Sequence, residues 1–288
     1  MTDVPLDRRL NAFRPDLADA RLEGKVVADR FVAGKTARVV APVLDVRSAP
    51  RLDAGLDTQF LLGDEVVVFD EAGGFAWVQG ARDSYVGYVE TAGLAAPGLP
   101  ATHVVAVPRT FLYAQADMKT RATAALSLGS RVRVAGRATT RGTDYALLDT
   151  GEAVVAAHLR PVGVVDADPV SAAETLERTP YLWGGTSAFG IDCSGLVQLS
   201  LAMAGRTAPR DTDMQGASLG SPLAIGDDLA GLERGDLVFW KGHVAIMLDG
   251  GNIIHASGHA MMVVRERLAD AVDRIAGLYG RPVGFRRP

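Results

Sequence analysis

One cysteine, Cys193, is all that the 288-residue chain contains, so no disulfide can form within it and a disulfide-built scaffold is excluded. A reducing compartment fits that usage. Long apolar runs are missing too: nowhere do 18 apolar residues follow one another, and no helical membrane span is expected. Charge of one sign is absent as well. The 30 Lys and Arg face 34 Asp and Glu, a formal net charge of −4, with the arginines scattered rather than blocked. A nucleic-acid partner therefore gets no electrostatic support. The opening Met1-Thr2-Asp3-Val4-Pro5-Leu6-Asp7-Arg8-Arg9 carries charges where an export signal needs an apolar run, so the expected location is the cytoplasm, with secretion as the alternative.

What is present is a globular composition, 48% hydrophobic and 22% charged, in a chain long enough for two or three domains. From Thr36 to Val165 short β-rich runs such as Val66-Val67-Val68-Phe69 and Tyr85-Val86-Gly87-Tyr88-Val89 alternate with Gly, Asp and Pro. A similar strand-turn-strand order returns with Val107 to Tyr113, Leu126 to Val134, Tyr145 to Leu148 and Ala153 to Ala156, at a period of roughly 65 residues. Two tandem all-β barrels are expected, over residues 36–98 and 99–165, after an extended or partly helical lead-in over 1–35. The first unit, and more weakly the second, resembles bacterial SH3-like domains, which either bind peptides or pack against a neighbour. Helical spacing takes over after Pro169, in a run through Val170, Ala173 and Leu176 that ends at Thr179-Pro180, so a further domain is expected over 166–288.

That last domain holds the residues with chemistry. Pro180-Tyr181-Leu182-Trp183-Gly184-Gly185 precedes Gly190-Ile191-Asp192-Cys193-Ser194-Gly195, and the spacing of Leu196, Val197, Leu199, Leu201 and Met203 predicts a largely buried helix ending at Gly205. Cys193 then stands in the first turn, where amides and the helix dipole favour a thiolate and can hold an oxyanion. A thiolate needs a proton carrier for its leaving group. Of five histidines, His103 and His158 lie in the β region, His259 in a loop-like segment, and His243 and His255 on a predicted hairpin around Asp249-Gly250-Gly251. Side chains alternate along strands, so the two histidines share a face only if paired positions add to an even number, which requires an odd loop or a bulge. An odd loop is the expectation, with His243 as base and acid and His255 orienting its ring. One Cys and two His without close ligand spacing make a poor zinc site, and no metal is expected.

These motifs resemble the NlpC-type cysteine peptidases, papain-like enzymes of bacterial cell-wall peptides. The resemblance rests on Tyr181-x-Trp183-Gly184-Gly185, Asp192 to Gln198, Arg210-Asp211-Thr212, Gly235 to Trp240, His243 to Ile246 and Ile253 to Ala256. It implies an α+β fold with helices packed on an antiparallel sheet, and a Cys193, His243, His255 triad. With SH3-like units in front, the chain is similar to the γ-D-glutamyl-L-diamino-acid endopeptidases. That likeness implies that Asp192, Ser194 and Thr212 hold a γ-D-glutamyl group and that Asp211 binds an alanine ammonium. Tyr181 and Trp183 would line the cleft, while Tyr85 and an acidic residue, open among Asp53, Asp57 and Glu65, would close its end.

The implied reaction cuts L-Ala-γ-D-Glu-diamino acid peptides after the glutamyl unit through an acyl-enzyme, without a cofactor, in wall recycling. Its rivals are a secreted hydrolase of intact peptidoglycan, an acyltransferase or amidase on the same fold, and a silent wall-binding module.

Overall fold

A computed structural model describes residues 6–288; the five residues before them, on which part of the export-signal reading falls, lie outside the described residues. Two units are present. The first runs to Val105 and resumes over Thr110–Arg160, and the second comprises Ala106–Arg109 with Pro161–Pro288.

In the first unit the β-branched runs form a seven-stranded sheet in the order Leu56–Leu61, Val43–Arg47, Val86–Glu90, Phe75–Gly80, Glu65–Ala72, Lys35–Val39, Leu94–Ala95. Val39, Leu44, Val46, Phe60, Val66, Val68, Val78 and Val89 fill its core. A bulge between Val68 and Asp70 puts Phe69 beside Trp77, with ring centroids 5.7 Å apart. The lead-in packs on these two rings: Ala12 and Leu17 join them in a second cluster. Arg14 stacks its guanidinium 4.5 Å from the Trp77 ring and pairs with Asp70 at 2.7 Å. Burial on both sides explains why Val66 to Phe69 is continuously apolar rather than alternating.

Neither of the two expected barrels closes among the described residues. Closure requires the outer strands to pair with each other. Here Leu56–Leu61 and Leu94–Ala95 remain separate edges, and the latter is only two residues long. The second β region divides instead of curling. Arg131–Val132 pairs with His103–Val105 in a three-stranded sheet, whereas Val134–Thr140, one residue later, pairs with Thr143–Leu148 in a five-stranded one. The two β regions are tied within one unit, Arg131 N donating to Leu62 O at 2.7 Å.

The second unit has the expected helices on an antiparallel sheet. Its helices are α1 (Pro169–Thr175), α2 (Cys193–Met203), α3 (Thr212–Ser218) and α4 (Leu268–Tyr279). Its main strands are β1 (Leu237–Trp240), β2 (His243–Met247), β3 (Asn252–Ser257), β4 (Met262–Arg267) and β5 (Gly284–Arg287), ordered Ser221–Pro222, β5, β1, β2, β3, β4. Asp168 caps α1 by accepting from Val170 N at 2.9 Å. Every residue of α2 except Ala202 is buried, and the chain leaves that helix through Gly205 at φ +73°. Val238, Trp240, Ala245, Met247 and Ile253 form one face of the sheet and bury Leu268, Ala271, Val272 and Ile275 of α4. Among the described residues no helix is long and apolar enough to cross a membrane.

Candidate active site

Cys193 is the first residue of α2, and the residue before it fixes the helix start. Asp192 Oδ1 accepts from Gly195 N at 2.7 Å, and Oδ2 accepts from Gly184 N at 2.9 Å. Both glycines are required by geometry. Gly184 has φ +77°, a left-handed conformation that strains other residues. A Cβ on Gly195 would stand 2.3 Å from Gly185 O. The fully buried Arg210 grips the same carboxylate, Nη2 to Oδ2 at 2.6 Å and Nη1 to Oδ1 at 3.0 Å, and donates to Ser194 Oγ at 2.8 Å. Ser194 Oγ in turn donates to Asp192 Oδ1 at 3.3 Å. Both oxygens of Asp192 are thus engaged within the protein.

The thiol sits 4.0 Å from Thr212 Oγ1, at the start of α3, and accepts from the N–H of Val244, the residue after His243. Burial, and then the charge of Asp192, push its pKa up to about 11; the Val244 and Thr212 hydrogen bonds and Arg210 act the other way without offsetting them. This corrects the expected lowering at a helix start. The Gly195 amide that would favour a thiolate is taken by Asp192, whose own charge opposes a second anion beside it.

His243 opens β2 and His255 lies within β3. Ile246 pairs with Ile254 and Met247 with Ile253, so paired positions add to an even number and the two histidines share a face. The loop between Leu248 and Asn252 has three residues, with Leu248 N donating to Asn252 O at 2.8 Å. Asp249 Oδ1 holds that loop by accepting from Gly251 N at 2.8 Å and Asn252 N at 2.9 Å. His243 Nε2 and His255 Nδ1 are 2.7 Å apart. Burial, followed by the proximity of His255 and Arg274, pushes His243 down to about 3 although Glu266 pulls the other way. The resting pair is a neutral thiol and a neutral imidazole.

Two hydrogen-bonding partners of these residues were not singled out from the sequence. Glu266 on β4 lies 2.6 Å from His255 Nε2 and also accepts from Arg274 Nη2 of α4 through the same oxygen, Oε1. Burial raises its carboxyl, but the hydrogen bonds from His255 and Arg274 outweigh that and hold it at about 2. The signal lay in the alternation of Val264 and Glu266: β3 pairs His255 with Val264 and Ile253 with Glu266, which keeps Glu266 on the histidine face. Arg210 stood inside a quoted motif without a role, and only the fold shows it beneath Asp192.

The other expected residues divide by place. Tyr181 is half-buried; burial and the charges of Cys193 and Asp192 beside it raise its phenol pKa. Trp183 is 72% exposed. Asp211 is the half-buried N-cap residue of α3 and Thr212 its first residue. The structure therefore brings Thr212 and Asp192 to Cys193, with Tyr181 near enough to feel its charge, while His243 directly precedes Val244, whose N–H meets the thiol. Tyr85 belongs to the first unit, where it is buried and its N–H donates to Asp83 Oδ1 at 3.1 Å. Asp53 and Glu65 are exposed there and Asp57 is half-buried. His259 is exposed. No group of three or more His, Cys, Asp or Glu among the described residues is arranged to hold a metal ion.

The sequence pattern of the NlpC/P60 family matches residues 178–272, and that of the bacterial dipeptidyl-peptidase Sh3 domain matches residues 46–94. A gamma-D-glutamyl-L-lysine dipeptidyl-peptidase of Bacillus cereus is 38% identical over 103 residues, 31% of this chain and 29% of that protein. Dipeptidyl-peptidase 6 of Lysinibacillus sphaericus is 36% identical over 88 residues, 31% of each chain. The matched stretch thus spans less than a third of either relative's length. A solved NlpC/P60 family protein from Bacillus cereus has a TM-score of 0.72 at 22% identity, over 88% of this chain and 99% of that one, which is a likeness of fold. With a thiol at a helix start, two histidines on one sheet face and both sequence patterns in place, the chain carries an NlpC/P60 domain over residues 178–272 and, ahead of it, a bacterial dipeptidyl-peptidase Sh3 domain over residues 46–94.

Proposed function

We propose that the protein hydrolyses the γ-D-glutamyl-diamino acid bond of small muropeptides, releasing L-Ala-γ-D-Glu for recycling of the wall. The observation that carries this reading is the line of hydrogen bonds from Glu266 through His255 to His243, whose neighbour Val244 offers its N–H to the chain's one thiol. The name of the Bacillus cereus relative, a gamma-D-glutamyl-L-lysine dipeptidyl-peptidase, supports the choice of bond.

Cys193 Sγ attacks the γ-carbonyl carbon while its proton passes to His243. The C–N bond breaks, and His243 returns the proton to the leaving amine. Water then adds to the thioester with His243 taking its proton, and the thiol is regenerated as the dipeptide leaves. Because thiol and imidazole start neutral, proton transfer accompanies attack rather than preceding it. Tyr181, whose raised phenol stays protonated, donates to the developing oxyanion together with amides at the start of α2. In this reading Asp211 meets the alanine ammonium and Thr212 the glutamyl portion, while Asp192 and Ser194 act through Arg210 by fixing the helix start. Trp183 walls the cleft.

The test uses L-Ala-γ-D-Glu-diaminopimelate, its lysine counterpart, the N-acetylated forms and intact sacculi, each with the protein and with Cys193→Ala. Cleavage of the free-amine peptides alone is the expected result. Release from sacculi would replace recycling with hydrolysis of the polymer, and transfer to an added amine in place of water would make the protein an acyltransferase. Activity surviving in Cys193→Ala would overturn the mechanism.

A further inference from the structure

The hydrogen-bond line does not stop at His255, and its far end dictates what the near end can do. A carboxylate accepts hydrogen bonds and donates none. The 2.6 Å contact to Glu266 Oε1 therefore places a hydrogen on His255 Nε2. A His255 that carries this one hydrogen offers only a lone pair at Nδ1, so across 2.7 Å the donor is His243 Nε2. With its hydrogen on Nε2, His243 has its lone pair at Nδ1, free to take the thiol proton. We infer that Glu266, clamped by Arg274, is a positioning residue that sets the tautomer of both histidines and so makes His243 a base. A doubly protonated His255 would reverse the order, leaving hydrogen on His243 Nδ1 and no base beside the thiol.

Three observations support this assignment. His255 is 1% exposed, so both its ring nitrogens need partners inside the protein. Arg274 reaches Glu266 from α4, an element separate from the strands that carry the histidines, and keeps the carboxylate ionised. Glu266 also lines a cavity of about 420 Å³ with Glu174, Arg234, Asp249, Asn252, Arg265 and Arg267, so the end of the relay is reached from solvent without passing the thiol. Arg274 on α4 is the cation that acts on the relay, and the other charged residues lining the cavity are Glu174, Arg234, Asp249, Arg265 and Arg267.

The inference rests on the peptidase reading only for its activity arm, and its first test needs no substrate. In 15N-labelled protein, two-bond nitrogen–proton spectra should show His243 and His255 both with hydrogen on Nε2. Hydrogen on His255 Nδ1, or on both of its nitrogens, overturns the proposal. Glu266→Ala should scramble these tautomers and lower kcat at least about tenfold with KM within about twofold. Glu266→Gln retains an oxygen that can accept from both His255 and Arg274, and should keep the tautomers and most of kcat. Formate entering by the cavity should restore Glu266→Ala where chloride does not. An unchanged kcat in Glu266→Ala, or a loss with unchanged tautomers, also overturns it. If Glu266→Ala does not fold, the wild-type spectra and Glu266→Gln still decide. If no peptide is cleaved by the wild type, the proposed function falls while the spectra continue to test this one.

Discussion

A carboxylate immediately before a nucleophilic thiol is an awkward neighbour, because it raises the pKa that catalysis would have low. Asp192 is tolerated there through its five hydrogen bonds, two of them from a fully buried arginine. Removing one member of a buried pair leaves the other charge uncompensated, so Arg210→Met should cost about 3–5 kcal/mol in urea unfolding. Arg210→Lys should recover only part of it, since an ammonium cannot span both oxygens. The same residues set the reactivity of the free protein. With the thiol held up at about 11, carbamidomethylation of Cys193 by iodoacetamide should be slow at neutral pH and still rising above pH 9. A fast plateau near pH 7 would show a preformed thiolate–imidazolium pair instead. Cys193 and His243 could be singled out from sequence as candidates because each is set in a local motif. The counter-charges could not, since Arg210 and Glu266 reach their partners through the fold.

At the scale of the element, the register of the β2–β3 hairpin decides which way its two histidines face. Its three-residue loop makes paired positions add to an even number, and both histidines then face one way. This hairpin and helix α2 were legible because alternation, helical spacing and a terminal glycine are short-range signals. Barrel closure was not. It depends on whether distant edge strands meet, and here the chain at Arg133 passes from one sheet to another instead.

For the whole molecule, the site makes stability a function of pH on both sides. His243 has an ordinary pKa of 6.5 and is held at about 3, so below pH 6.5 the unfolded chain takes up a proton that the folded one refuses. Glu266, ordinarily 4.5 and held at about 2, adds a second such proton below pH 4.5. Stability therefore falls as pH falls, with a slope approaching about 1.4 kcal/mol per pH unit for each group. Cys193 acts in the opposite sense: between its ordinary 9.0 and about 11 the unfolded chain loses a proton that the folded one keeps, so stability falls as pH rises. The peptidase unit should be most stable between about pH 6.5 and 9. Urea midpoints followed at Trp240, with Trp77 and Trp183 replaced by Phe, would trace this window. His243→Ala lowers the midpoint throughout but should flatten the limb between pH 6.5 and 4.5, Glu266→Gln the part below 4.5, and Cys193→Ala the alkaline limb. A limb that keeps its slope after the matching substitution would assign that proton to another group.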